Sequence, residues 1–358
     1  MKIFFNWPDY LIPIVTGKED LGYIFDLFIN TLLLQNDEKV SRRITRIVTD
    51  IKTEDEVIWR WELPQPVLWE HMNVGHKISD MQIWMRQYSV GSYIAQDVSD
   101  LVPGPVLKPE EKATIRRFPV RFTTDKMPGT LVVRIFSGPH LIGRNDIMVR
   151  SEIPSDHYIF PVKGNWQVFN NFDYNLFHRQ FASQEFAIDV LRLSDSGLVR
   201  KNTSNLPDDF VCYGERVYAI AKGKVIEVSS ELPDHSADES LTTSLAHMEF
   251  SSNIDFWKTQ VGNFVLIRHD NDIFSFYGHL KQHSIAVNPG DDIAQGVLIG
   301  EVGNSGSSKS AHLHFQLNKG PNPYASRSIP PVFSNTYNPY CQPLPLITQN
   351  LTMVHTAD

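Results

Sequence analysis

Ala311-His312-Leu313-His314-Phe315-Gln316-Leu317, near the end of a chain of 358 residues, sets two histidines one residue apart inside an apolar alternation. Such alternation predicts a β-strand, on which side chains at i and i+2 share a face. The two imidazoles therefore project together. Histidine is the commonest metal ligand and the usual general base near neutral pH, so a pair fixed on a strand suits a metal-dependent hydrolase. A bare His-x-His is equally compatible with two polar residues on a wetted strand face, and the residues before it decide between the two.

Working back from that strand, the C-terminal half reads as β throughout. Gly303-Asn304-Ser305-Gly306-Ser307-Ser308 is a loop feeding it. Residues 264–269 and 274–280 flank Asp270-Asn271-Asp272 as a hairpin, and 214–229 read as another around Lys222-Gly223-Lys224. Between them, 230–259 form an acidic insertion with Asp234, His235, Asp238, Glu239, His247 and Glu249, of the kind that borders a site. Its two histidines read as part of a solvated acidic loop, and His269 and His283 as exposed hairpin and loop residues. Earlier strands are expected at 158–162, 164–168 and 185–191. Residues 320–358, rich in Pro, Asn and Ser, read as a tail on the surface.

A hydrolytic zinc site takes three protein ligands from His, Asp or Glu, leaves a position open to water, and needs a base nearby. The helical solution, His-Glu-x-x-His, is absent, so ligands must come from separate strands. The candidates are His178, Asp189, His279, His312 and His314.

These residues sit in recognisable surroundings. Gly303-x-Ser305-Gly306-x-Ser308 precedes His312-Leu313-His314-Phe315, and upstream stand Tyr277-Gly278-His279-Leu280 and Val287-x-Pro289-Gly290-Asp291-x-Ile293-x-x-Gly296. In order, spacing and content, about 155–335 resembles the lysostaphin/LytM-type zinc metallopeptidase domain of peptidase family M23. The resemblance implies that His314 binds Zn2+ together with an upstream histidine and aspartate, for which His178 and Asp189 are the candidates. It implies His279 and His312 as the catalytic pair, either of them the base. The chain departs from the family's His-x-x-x-Asp spacing, with ten residues between His178 and Asp189; residues 179–184 can bulge as a loop, and Asp173 is the alternative to His178. The implied activity is a zinc metalloendopeptidase acting on peptidoglycan cross-bridges or stem peptides. A non-catalytic LytM-like binding or activator module is the alternative, and phosphoryl transfer on a histidine is a third. A degenerate module has no reason to keep all five residues, and a phosphotransfer domain has no use for Asp189.

The N-terminal part separates into short runs rich in β-branched and aromatic residues at 23–34, 43–51, 56–63, 81–90, 117–123 and 130–136, with weak helical periodicity and no catalytic cluster. His71, His76 and His140 lie scattered among aromatics. The expected class is all-β: an accessory β-sandwich-like domain over 1–150, an antiparallel β-sheet metallopeptidase domain over 151–345, and a tail over 346–358. A net charge of −8 without a Lys/Arg block argues against nucleic acid. Two cysteines, Cys212 and Cys341, allow one bridge at most. No run approaches the ~18 apolar residues of a membrane span. Met1 to Asp9 is interrupted by Asn6, Pro8 and Asp9 and does not read as a signal peptide, which favours the cytoplasm on sequence grounds, or the cell envelope if export takes another route or a leader has been trimmed.

Overall fold

The computed structural model describes residues 1–357 apart from 6, 8, 55, 75–100, 153–157, 171–177, 205, 237–255 and 349–350. The expected strand at 81–90, His76, Asp173 and His247 lie outside the described residues. Contacts divide the chain into Met1–Glu152 with Gln180–Ala182, and Ile153–Arg179 with Ser183–Asp358. Both are built mainly of strands, so the all-β class holds.

In the first unit the strand Gly22–Gln35 pairs antiparallel with Lys112–Thr124 along most of its length, and with Lys2–Phe5 and Ile14–Glu19 on its other edge. A second sheet runs Tyr10–Leu11, His140–Val149, Thr130–Ser137, Arg46–Thr53, Glu56–Leu63. Phe25, Leu27 and Ile29 of the first sheet and Ile47, Ile51, Leu131 and Val133 of the second belong to one buried apolar cluster. Each such side chain contributes about 1.5–3 kcal/mol by leaving water. Gln65–Val74 is a helix rather than part of a β run. Leu68 and Met72, four residues apart, both turn to the core, and Pro66 is tolerated because first-turn N–H groups have no intrahelical partner anyway.

The second unit is organised on one antiparallel sheet in the order Asp292–Ile293, Gly223–Ser229, Asn263–Arg268, Ile273–Leu280, Leu313–Lys319, Ile188–Leu191, Asn165–Asn170, Thr352–Thr356, Thr336–Tyr337. The histidine strand, Leu313–Lys319, is central, with Ile273–Leu280 on one side and Ile188–Leu191 on the other. Leu313, Phe315 and Leu317 are all fully buried, fixing the opposite face of that strand in the core.

Three expectations are corrected. Residues 158–162 form no strand, Tyr158 making only an isolated bridge to Phe333. Residues 214–229 do not close a hairpin: Arg216–Tyr218 pairs with Leu298–Glu301 in a separate small sheet, while Gly223–Ser229 pairs with Asn263–Arg268 and Asp292–Ile293. The stretch read as a tail over 346–358 contributes Thr352–Thr356 to the main sheet, between Asn165–Asn170 and Thr336–Tyr337, with Val354 buried. A five-residue alternating strand carries little signal beside a Pro-rich approach, and only its partners give it a place. Cys212 and Cys341 are free thiols. Burial pushes Cys212 up to about 11, and its thiol donates to the Ala311 carbonyl. Among the described residues no helix is long and apolar enough to cross a membrane.

Candidate metal centre

Strand register brings the candidate ligands together. Asp189 lies directly opposite His314, His314 opposite Gly278, and Asn170 opposite Asp189, so these positions form a row across four strands. Directly opposed residues of antiparallel strands share a face. At Gly278 a Cβ would press on the Phe276 ring at 3.2 Å and meet the His314 Cβ at an ordinary packing distance of 3.6 Å. His178 arrives from a short 3-10 turn, His178–Gln180, and a second one, Ala182–Gln184, absorbs the extra residues before the aspartate strand.

The ligand atoms converge closely. His314 Nδ1 stands 2.9 Å from Asp189 Oδ1 and His178 Nε2 stands 3.2 Å from Asp189 Oδ2. One ligand atom from each of the three lies within 4.8 Å of the others, the only such group of His, Cys, Asp or Glu among the described residues. All three are buried. The chemistry of the donor set fits a zinc ion, two imidazoles and one carboxylate on a dry sheet face. The outer hydrogen bonds fit as well, because a ligating imidazole normally gives its other N–H to an acceptor. His178 Nδ1–H donates to Ala187 O at 3.2 Å, and His314 Nε2–H to Gln316 Oε1 at 2.9 Å. Asn170 Nδ2 donates to Asp189 Oδ2 at 2.8 Å.

His279 and His312 stand beside this group, their ring centroids 4.7 Å apart. His312 Nδ1–H donates to Ser310 O at 2.7 Å, and its Nε2 lies 3.6 Å from Asp189 Oδ1. His279 Nδ1–H donates to Ser305 O at 2.9 Å. Both rings therefore keep an Nε2 lone pair. His279 sits at φ +59°, a left-handed conformation costing a non-glycine residue of order 1 kcal/mol, which the Ser305 bond and Gly303 N–H donating to His279 O hold in place.

The serine- and glycine-rich loop is what makes this possible. A Cβ on Gly303 would sit 2.3 Å from Lys281 N, and one on Gly306 2.4 Å from Gly262 N, so neither position admits a side chain. Ser305 Oγ accepts from Asn263 N–H and donates to Leu280 O, pinning the loop where its carbonyl meets His279. Ser308 Oγ lies 3.1 Å from His312 Nδ1.

Charge behaves as the packing dictates. Burial pushes His178 down to about 4 and His279 well below its usual value, so both rings are neutral at pH 7. Burial works to raise Asp189, but the His178, His312 and His314 rings around it prevail and hold the carboxyl well below the usual range.

The histidines expected to be unremarkable are not all exposed. His283 is. His269 is buried, with Nδ1 against Lys222 O and Nε2 against Ser275 Oγ, each 2.7 Å. His235 is buried too, its ring nitrogens meeting Ser236 O and Gly306 O. Its neighbour Asp234 accepts from Asn304 N–H, Gln282 N–H and Tyr213 O–H. The start of the acidic insertion is thus built into the loop that carries Ser305 rather than solvated. Asn170 and Gln316 escaped the sequence reading, although for Gln316 a signal existed: the polar alternation of His312 and His314 continues through Gln316 and Asn318.

A β-sheet protein with a His/Asp/His group and two adjoining histidines is the class that fold and site define. Residues 208–326 match the model of peptidase family M23, the stretch that holds His279, His312 and His314, while His178 and Asp189 precede it. The C-terminal half thus carries a region similar to peptidase family M23, a family of peptidases. Similar solved structures include a variant catalytic domain of the prophage-encoded M23 protein EnpA from Enterococcus faecalis, at 18% identity over 50% of this chain and 92% of that one, TM-score 0.27. Another is the catalytic domain of lysostaphin from Staphylococcus simulans, at 17% identity over 46% and 88%, TM-score 0.27. A third is a zinc containing peptidase from Vibrio cholerae, at 13% identity over 88% and 83%, TM-score 0.29. No curated protein matches the chain.

Proposed function

We propose that this protein is a zinc-dependent endopeptidase that hydrolyses peptide bonds in peptidoglycan cross-bridges or stem peptides. The observation that carries the reading is Asp189, a buried carboxylate faced by three imidazoles and one amide, with no lysine or arginine bonded to it among the described residues. A buried carboxylate without a cation is costly, and a dication held by His178 Nε2, Asp189 and His314 Nδ1 offsets that cost. When bound there, zinc supplies a Lewis acid and brings the pKa of its water toward about 7.

The remaining work falls to the chain's own side chains. His312 Nε2, its Nδ1–H already committed to Ser310 O, is free to take a proton. The imidazolium so formed lies 3.6 Å from Asp189 Oδ1, which favours His312 over His279 as the first base. His279 is neutral and keeps its lone pair at Nε2, so it accepts a hydrogen bond before it can donate one to a developing oxyanion. The peptidoglycan assignment rests on the family relation. Purified protein is expected to carry about one zinc per chain, and to cleave a cell-wall or oligoglycine substrate in a manner abolished by chelation and restored by zinc. Protein that binds no zinc overturns this reading in favour of a binding or activator module.

A further inference from the structure

Four polar side chains follow one another on one face of the histidine strand: His312, His314, Gln316 and Asn318, every one of them buried. The last two look at first like incidental polar burial. Their hydrogen bonds say otherwise. Gln316 Nε2 faces only oxygen acceptors: Asn318 Oδ1 at 2.6 Å, Pro323 O at 2.9 Å and Ser183 O at 3.4 Å. Asn318 Nδ2 in turn donates to Ser183 O at 3.0 Å and Ser326 O at 3.2 Å, which fixes its own Oδ1 toward Gln316.

The orientation of an amide is ordinarily ambiguous, because its oxygen and nitrogen can exchange places. Backbone carbonyls cannot exchange, and a carbonyl only accepts. Pro323 O and Ser183 O therefore require the –NH₂ of Gln316 on their side, which leaves Oε1 toward His314, 2.9 Å from its Nε2. An amide oxygen only accepts, so the proton must sit on His314 Nε2. Nδ1 is then the ring nitrogen left for an ion, beside Asp189.

We propose that Gln316 is a positioning residue that dictates which nitrogen His314 presents to the metal, and that its own orientation is imposed by the carbonyls of Ser183 and Pro323. The inference rests on the zinc reading above. It also gives the long spacing between His178 and Asp189 a role: Ser183 lies in that spacing, so the inserted residues supply a carbonyl that aims Gln316. Gln184 of the same segment bonds Tyr324, next to Pro323, tying the two carbonyl-bearing segments together.

The experiment titrates metal-free full-length protein with Zn2+ and compares Gln316→Met, Gln316→Glu and Asn318→Leu with the parent. Loss of an outer partner of a ligand typically costs about 10–100-fold in metal affinity. Gln316→Met is expected to lose that much, Gln316→Glu to recover most of it because an acceptor oxygen again faces His314 Nε2, and Asn318→Leu to lose less than Gln316→Met because it does not touch His314. Nitrogen-15 NMR of histidine-labelled, zinc-loaded parent protein is expected to show His314 protonated at Nε2. Equal affinity in parent and Gln316→Met, a Gln316→Glu variant as weak as Gln316→Met, or His314 protonated at Nδ1 overturns the proposal. Should Gln316→Met fail to fold, the NMR assignment decides alone. A parent that binds no zinc removes the underlying peptidase reading instead, which keeps the two failures apart.

Discussion

Two buried carboxylates, one in each unit, are treated in opposite ways. Asp50 in the N-terminal unit is bonded by the guanidinium groups of Arg60 and Arg134, permanent cations that close the site with protein charge. Asp189 in the C-terminal unit meets imidazoles and an amide, none of which must be charged. Arginine neutralises a carboxylate at every accessible pH and makes it structural. Histidine leaves the charge open to balance by something that comes and goes, a proton or a metal ion. The first arrangement suits a fold, and the second suits the proposed site.

The sharpest way to break that contrast is to remove a ligand. His314→Ala is expected to abolish zinc binding outright, read by elemental analysis of the purified protein, and retained stoichiometric zinc would show that the three residues are not the centre. Next in size, His312→Ala is expected to keep its zinc while hydrolysis falls about 10²–10⁴-fold, the usual contribution of a general base. Activity near that of the parent would instead give the proton to His279.

Acid should act on the C-terminal group as well. His178 titrates near 4 when folded and 6.5 is its ordinary value, so between those values the unfolded chain binds more protons than the folded one. Stability of metal-free protein is therefore fully present above 6.5 and is lost as pH falls toward 4, by roughly 3 kcal/mol from this ring alone. The lowered carboxyl of Asp189 extends the loss in the same direction below its ordinary value. Denaturant unfolding of chelated protein across pH 4–7 measures this, and a flat profile would mean that the imidazoles are not held neutral. The smallest effect is expected from Asp50→Asn, about 1–3 kcal/mol of stability for hydrogen bonds to charged groups, with zinc content untouched. Loss of metal on that substitution would contradict the division of labour between the two carboxylates.

Much of the centre was legible in the residues alone, because its signals are local. A period of two puts His312 and His314 on one face whatever surrounds them, and Gly303 and Gly306 mark a loop feeding that strand, although only the packing shows that no side chain fits there. His178 was harder: ten residues separate it from Asp189, and nothing in that stretch states that two short 3-10 turns will return the ring to the aspartate. His235 and His269 were misjudged for a related reason. Their sequence neighbours are charged, but the groups that bury them, Gly306 and Ser275 among others, come from other elements.

The sequence by itself determined the strand alternation, the family resemblance over the C-terminal half, and the five residues from which a zinc centre could be assembled. Only the tertiary structure decided that Asp189 lies opposite His314, that residues 352–356 join the main sheet, and that two backbone carbonyls aim Gln316 at His314. Side-chain alternation is a property of one strand and survives any context. Register, loop closure and the choice between two ring nitrogens depend on atoms far apart in the chain, and they exist only once the sheet has formed.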